Sequence, residues 1–103
     1  MLIAWTTLEN RADAEAIASG AVAAKLAACV QIDGPIESHY RWQGKLEKTT
    51  EFRLCFKFAE AREAELESFV FKRHPARIPE WVVVRAARVA EKYLSWAEAN
   101  SKP

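Results

Sequence analysis

Thr50-Glu51-Phe52-Arg53-Leu54-Cys55-Phe56-Lys57-Phe58 decides the fold. Four large apolar side chains alternate with Glu51, Arg53, Cys55 and Lys57, and a period of two is that of a strand with one buried face. Upstream, Lys45 to Thr50 forms a polar arm, and Gln43-Gly44 is a turn signal. Before the turn, Ile36, Ser38, Tyr40 and Trp42 alternate with Glu37, His39 and Arg41. Two extended runs around a two-residue turn predict a hairpin. Its first arm begins with a strand at Ala28 to Ile32, and Asp33-Gly34-Pro35 interrupts it as a bulge or bend, because proline cannot donate to a sheet ladder.

Further out, alanine-rich Arg11 to Leu26 predicts a helix capped by Asn10, with Ala14, Ile17, Ala21 and Ala24 as a narrow apolar stripe. Such a stripe lets the helix approach its sheet closely, and close packing accounts for Gly20 in mid-helix. Leu2 to Thr6 predicts a first strand. Downstream, Ala61 to His74 returns to helical spacing and is ended by Pro75. Arg73 and His74 fall in its last turn, where the helix dipole favours positive charge. Trp81 to Val84 predicts a fourth strand, and Ala90 to Ala99 a short closing helix. The order β-α-β-β-α-β is that of an α+β, ferredoxin-like sandwich, an antiparallel sheet with both main helices on one face. The chain 1–103 is expected to form one domain. Hairpin arms this long call for another chain to pair with, and the other sheet face also needs cover.

Composition narrows function. Half of the 103 residues are hydrophobic and 28% are charged, which excludes disorder. A formal net charge of +1 argues against nucleic acid and against a polybasic membrane surface. No apolar run approaches the ~20 residues of a membrane span. The first residues lack the shape of a signal peptide, so a cytoplasmic location is expected. Cys29 and Cys55 are then reduced, and as single cysteines in apolar runs they read as small core residues. RNA-recognition modules share this fold and stack bases on sheet aromatics, but the third strand has no glycine and its aromatics read as core if helices cover them.

No phosphate-binding loop, nucleophile elbow or zinc-protease motif is present. Two histidines and two aspartates, Asp13 and Asp33, at predicted caps and turns, leave no catalytic triad to assemble, so no enzyme is expected. The candidate metal ligands are Cys29, Cys55, His39, His74 and Glu80, with the other glutamates. Sulfur and imidazole would suit copper, yet no two have the short spacing of a preformed site. The fold or a subunit interface would have to assemble one.

Several segments resemble the CutA divalent-cation-tolerance family across essentially the whole chain. They are Lys25-Leu26-Ala27-Ala28-Cys29-Val30-Gln31-Ile32, Tyr40-Arg41-Trp42-Gln43-Gly44-Lys45, Phe56-Lys57, His74-Pro75 with Pro79-Glu80, and Tyr93-Leu94-Ser95-Trp96. The resemblance implies a ferredoxin-like fold related to PII-type signal proteins and a homotrimer whose sheets pair edge to edge. It implies a role in tolerance of divalent cations, with copper, another divalent cation or a small ligand bound at intersubunit clefts and no required cofactor. Carried over by position, the metal residues would be His74, Glu80 and Cys29, and Tyr40, Trp42 and Lys57 would lie near the cleft. A trimeric signalling or scaffold protein with incidental metal binding is the alternative. The chain departs from the family's pattern at Trp5, Ala76, Arg85 and Val89.

Overall fold

The computed structural model describes residues 1–103 throughout. Its elements are β1 (Leu2–Leu8), α1 (Arg11–Ala23), β2 (Cys29–Trp42), β3 (Lys45–Phe58), a 3-10 turn (Glu60–Arg62), α2 (Glu63–Arg73), β4 (Val82–Arg85) and α3 (Glu91–Ala99). The strands form one antiparallel sheet in the order β2-β3-β1-β4. This is the expected ferredoxin-like α+β sandwich, and no helix is long and apolar enough to cross a membrane.

The period of two in β3 sets the core. Leu54, Phe56 and Phe58 are fully buried, and β1, paired from Leu2↔Phe58 to Leu8↔Phe52, adds Leu2, Ala4, Thr6 and Leu8 on the same face. Over them lie Ala14, Ile17, Ala18 and Ala21 of α1 and Leu66 and Val70 of α2. These sheet aromatics are core and offer no platform for bases. Asn10 caps α1 as expected, its side chain accepting from the Asp13 amide at 3.0 Å. The close approach at Gly20 is real but faces α2 rather than the sheet: a Cβ there would stand 2.8 Å from Phe69 Cζ.

Several sequence expectations shift: β1 runs on to Leu8, and the helix expected over Ala61 to His74 is a 3-10 turn followed by α2 over Glu63–Arg73. Helix α1 stops at Ala23, not Leu26, because the chain turns inward to bury Leu26, Ala27 and Ala28. Lys25 takes a left-handed φ of 57° to do so, and the buried Arg62 guanidinium holds the turn by donating to the Lys25 carbonyl at 3.2 Å. The fourth strand is Val82–Arg85, one residue later than predicted, since Trp81 packs against Phe56 and Phe71 instead of pairing. The cysteines are not core. Both are free and half-buried, because Cys55 is an outward-pointing position of β3 and Cys29 pairs with Lys57 on that same outer face.

The long hairpin is one continuous β2–β3 ladder with a bulge between Asp33 and Ile36. Gly34 and Pro35 together stand opposite Phe52, one residue more than the ladder needs, and this reverses the facing of β2. Val30 and Ile32 share the core face, whereas Ile36, Ser38, Tyr40 and Trp42 fall on the other. Gly34, at φ +147°, sits where a Cβ would be 2.7 Å from the Phe52 ring. The tip is a two-residue turn with positive φ at both Gln43 (49°) and Gly44 (79°), the twist-matched hairpin form. The hairpin stretches the chain to 45 × 26 × 22 Å, with a radius of gyration of 14.2 Å against about 12.8 Å for a compact chain of this length.

Candidate functional site

At the end of α2 three segments enclose a cleft of about 900 Å³: Thr7–Asn10, Ser38–Trp42 and the loop His74–Glu80. Pro75 ends the helix at Arg73, whose guanidinium donates to the Phe69 carbonyl at 3.0 Å. His74 is therefore a helix cap whose ring reaches away from the helix. Strand β4 pairs with β1 only as far as Trp5, and beyond its end the Thr7 carbonyl takes the imidazole instead, with His74 Nε2 at 2.8 Å. Nδ1 accepts from the Ala76 amide at 3.1 Å. An acceptor at Nδ1 and a donor at Nε2 fix one neutral tautomer, so both ring nitrogens are engaged within the chain.

The cleft carries both signs of charge. Glu9, Glu51 and Glu80 bring carboxylates, Arg41 and Arg77 bring guanidinium groups, and Tyr40 and Trp42 form an apolar wall. His39 also lines it, with Nε2 2.7 Å from Glu37. No three His, Cys, Asp or Glu side chains converge closely enough to cage a metal ion. As it stands, the cleft suits a small polar ligand or a weakly held cation rather than a closed coordination shell.

Four of the six residues singled out from the sequence meet here: His74, Glu80, Tyr40 and Trp42. Cys29 and Lys57 do not. They pair with each other at the far end of the sheet, level with Ile3, four residues along β1 from Thr7 and so about 13 Å away. There the Lys57 ammonium lies over the Tyr93 ring of α3, 5.6 Å from its centroid. Burial pushes the Cys55 thiol above its ordinary range, opposed by the charges of Lys57 and Arg53. Sequence reasoning did not single out Arg41 and Arg77, and it gave Glu51 only among the other glutamates. Counting cross-strand pairs outward from Gln43-Gly44 places Ser38 opposite Thr49 and Ile36 opposite Glu51, and the register shifts only beyond, between Ile36 and Asp33.

The family model described as CutA1 divalent ion tolerance protein matches residues 2–100. The chain is 31% identical over 101 residues to the chloroplastic protein CutA of Arabidopsis thaliana, covering 98% of this chain and 56% of that one. It is 32% identical over 99 residues to the divalent-cation tolerance protein CutA of Yersinia pestis (strain Pestoides F), covering 96% and 83% respectively. Among solved structures it superposes on the divalent cation tolerance protein from Thermus thermophilus with a TM-score of 0.94 at 32% identity, covering 99% of this chain and 100% of that one. A structure described as the periplasmic divalent cation tolerance protein CutA from Archaeoglobus fulgidus gives 0.93 at 31% identity, with the same coverage.

Proposed function

The chain belongs to the CutA1 divalent ion tolerance family, and on that premise we propose that it is a homotrimeric divalent-cation tolerance protein that binds copper, another divalent cation or a small ligand in the His74–Glu80 cleft. One observation carries the reading: two imidazoles and three carboxylates line one cleft beside the half of the hairpin that nothing in its own chain covers. His74 and Glu80 are the cation ligands in this reading, and Tyr40 and Trp42 the wall. A cation must displace the Ala76 amide from His74 Nδ1, so binding is weak and protons compete with it. In this reading it acts by binding.

The trimer draws support from shape. A compact monomer of 11.6 kDa exposes roughly 5,800 Å², whereas this chain exposes 6574 Å² and buries only 19 of 103 residues. Leu46, Val82, Val84 and Trp96 are large apolar side chains left exposed, on the hairpin, the outer sheet face and α3. Their burial against other copies is the expected cover. In this reading the protein works in the cytoplasm, where Cys29 and Cys55 stay reduced.

A second reading, a signalling or scaffold trimer whose metal binding is incidental, rests on the satisfied His74 nitrogens. Calorimetric titration with Cu(II) and Zn(II) separates the two. The parent should bind Cu(II), and a His74→Ala/Glu80→Ala variant about tenfold more weakly. Equal affinity in parent and variant removes the cleft as the metal site and favours the second reading. Sedimentation should give a species of ~35 kDa, three chains of 11.6 kDa; a monomer at micromolar concentration removes the trimer.

A further inference from the structure

The wall of the cleft holds polar groups that nothing in the chain pairs with. On β2 Ser38 stands opposite Thr49 of β3, and two residues nearer the bulge Ile36 stands opposite Glu51. Opposite residues share a face, so the Ser38 and Thr49 hydroxyls and the Glu51 carboxylate are neighbours on one surface of the hairpin. The Thr49 hydroxyl is shut off from solvent and has no hydrogen-bond partner, and a buried polar atom in that state calls for one from outside the chain. Ser38 and Glu51 are half-buried where they line the cleft. The ion pairs nearby pass them over: Glu37 takes His39 and Lys48, and Asp33 takes Arg53. Arg77, on the loop that forms another wall, also stands outside every ion pair, whereas Arg41 already donates to the Gly44 carbonyl at 3.3 Å.

One carboxylate and two hydroxyls are three acceptors, as many as a primary ammonium has N–H donors. A guanidinium, in turn, offers two parallel donors to a carboxylate. Beside the acceptors runs an apolar strip: Tyr40 and Trp42 follow Ser38 at every second residue and so share its face, Tyr40 about 7 Å further along the strand. We propose that the cleft takes a zwitterionic amino acid with an aromatic side chain. Its ammonium lies on Ser38, Thr49 and Glu51, its carboxylate on Arg77, and its ring on Tyr40 and Trp42. The inference rests on the cleft reading above and names the small ligand in it. A ligand with both charges leaves none of these groups without a partner. One that lacks either charge leaves a desolvated group unpaired, and a site built on such groups rejects it.

The test is calorimetric titration of the intact protein, with no metal added, using three ligands. They are L-phenylalanine, its N-acetyl derivative, which has no ammonium, and its amide, which has no carboxylate. The parent should bind L-phenylalanine, and each derivative at least tenfold more weakly. Glu51→Gln should lose the preference over the N-acetyl derivative, and Arg77→Ala the preference over the amide, so that each variant reports on its own pole. The inference is overturned if the parent does not bind L-phenylalanine, if either derivative binds as tightly, or if either variant keeps the parent's preference. Cu(II) binding by the parent without L-phenylalanine binding overturns this inference and leaves the cation site standing. L-Phenylalanine binding without Cu(II) binding removes the cation site and upholds this inference. The three ligands compared on the parent decide the matter even where a variant folds poorly.

Discussion

From Leu54 to Phe58 every second side chain of β3 is fully buried, whereas from Lys45 to Thr50 the same strand buries none. The backbone ladder to β2 runs through both halves without a gap apart from the bulge. Hydrogen bonding therefore does not distinguish them; what lies on the faces does. The base half has α1 and α2 over it, and each buried leucine or phenylalanine contributes roughly 1.5–3 kcal/mol. The tip half has a well-formed turn and cross-strand pairs but no core, and it exposes Tyr40, Trp42 and Leu46. One half is held by the core of its own chain; the other has only its turn and its cross-strand pairs.

The largest expected effect tests that contrast directly. Leu54→Ala removes a fully buried side chain and should destabilise the fold by about 2–5 kcal/mol. Leu46, 79% exposed at the tip, should cost less than about 0.5 kcal/mol within the chain when changed to alanine. Its effect should instead show in assembly, as a denaturation midpoint that varies with protein concentration. Urea unfolding at several concentrations reads both. If Leu46→Ala loses as much as Leu54→Ala at every concentration, the two halves are not held differently.

Gly34 is the joint between the halves, and its substitution comes next in size. In Gly34→Ala the new methyl meets the Phe52 ring at 2.7 Å and the Glu51 carbonyl at 3.1 Å, in a backbone conformation that L-residues avoid. A cost of about 1–3 kcal/mol follows. The bulge reverses which side chains of β2 face the cleft, so its loss should also displace Tyr40 and Trp42 from that wall. Tryptophan fluorescence should shift along with the unfolding midpoint. A lower midpoint with unchanged emission would mean the bulge sets stability but not the wall.

The contrast also marks how far the sequence could be read. Phe52 to Phe58 announces its burial because a period of two is visible without knowing any partner, and Asn10, Pro75 and Gln43-Gly44 mark element ends by local chemistry alone. Gly34-Pro35 shows that something interrupts β2, but not that the facing reverses there. The end of α1 was hidden because it depends on Arg62, distant in sequence, reaching the Lys25 carbonyl. The candidate site was half legible. His74, Glu80, Tyr40 and Trp42 do meet, whereas Cys29 and Lys57 belong to the opposite end of the sheet, a separation fixed by strand register and not by any spacing along the chain. The engagement of both His74 nitrogens was equally out of reach, since one partner, the Thr7 carbonyl, is a backbone group 67 residues away.

The smallest expected effect sharpens the contrast at its base, where the turn after β3 is tied to β4 by Arg85 donating to the Glu60 carboxylate. That hydrogen bond, and then the charge of Arg85, hold the Glu60 carboxyl below its ordinary range. A group whose folded value lies below its unfolded one stabilises the fold above the unfolded value, about 4.3 for glutamate, and loses that contribution as pH falls through the folded value. Arg85→Ala should therefore unfold slightly earlier than the parent at neutral pH and match it in strong acid. Both partners are exposed, so the difference should also shrink between 0.1 M and 1 M salt, where the screening length falls from about 10 Å to about 3 Å. A deficit that persists unchanged in acid and in high salt would assign the role of Arg85 to its place in β4 rather than to its charge. The base of the hairpin would then owe nothing to this pair, and packing alone would separate it from the tip.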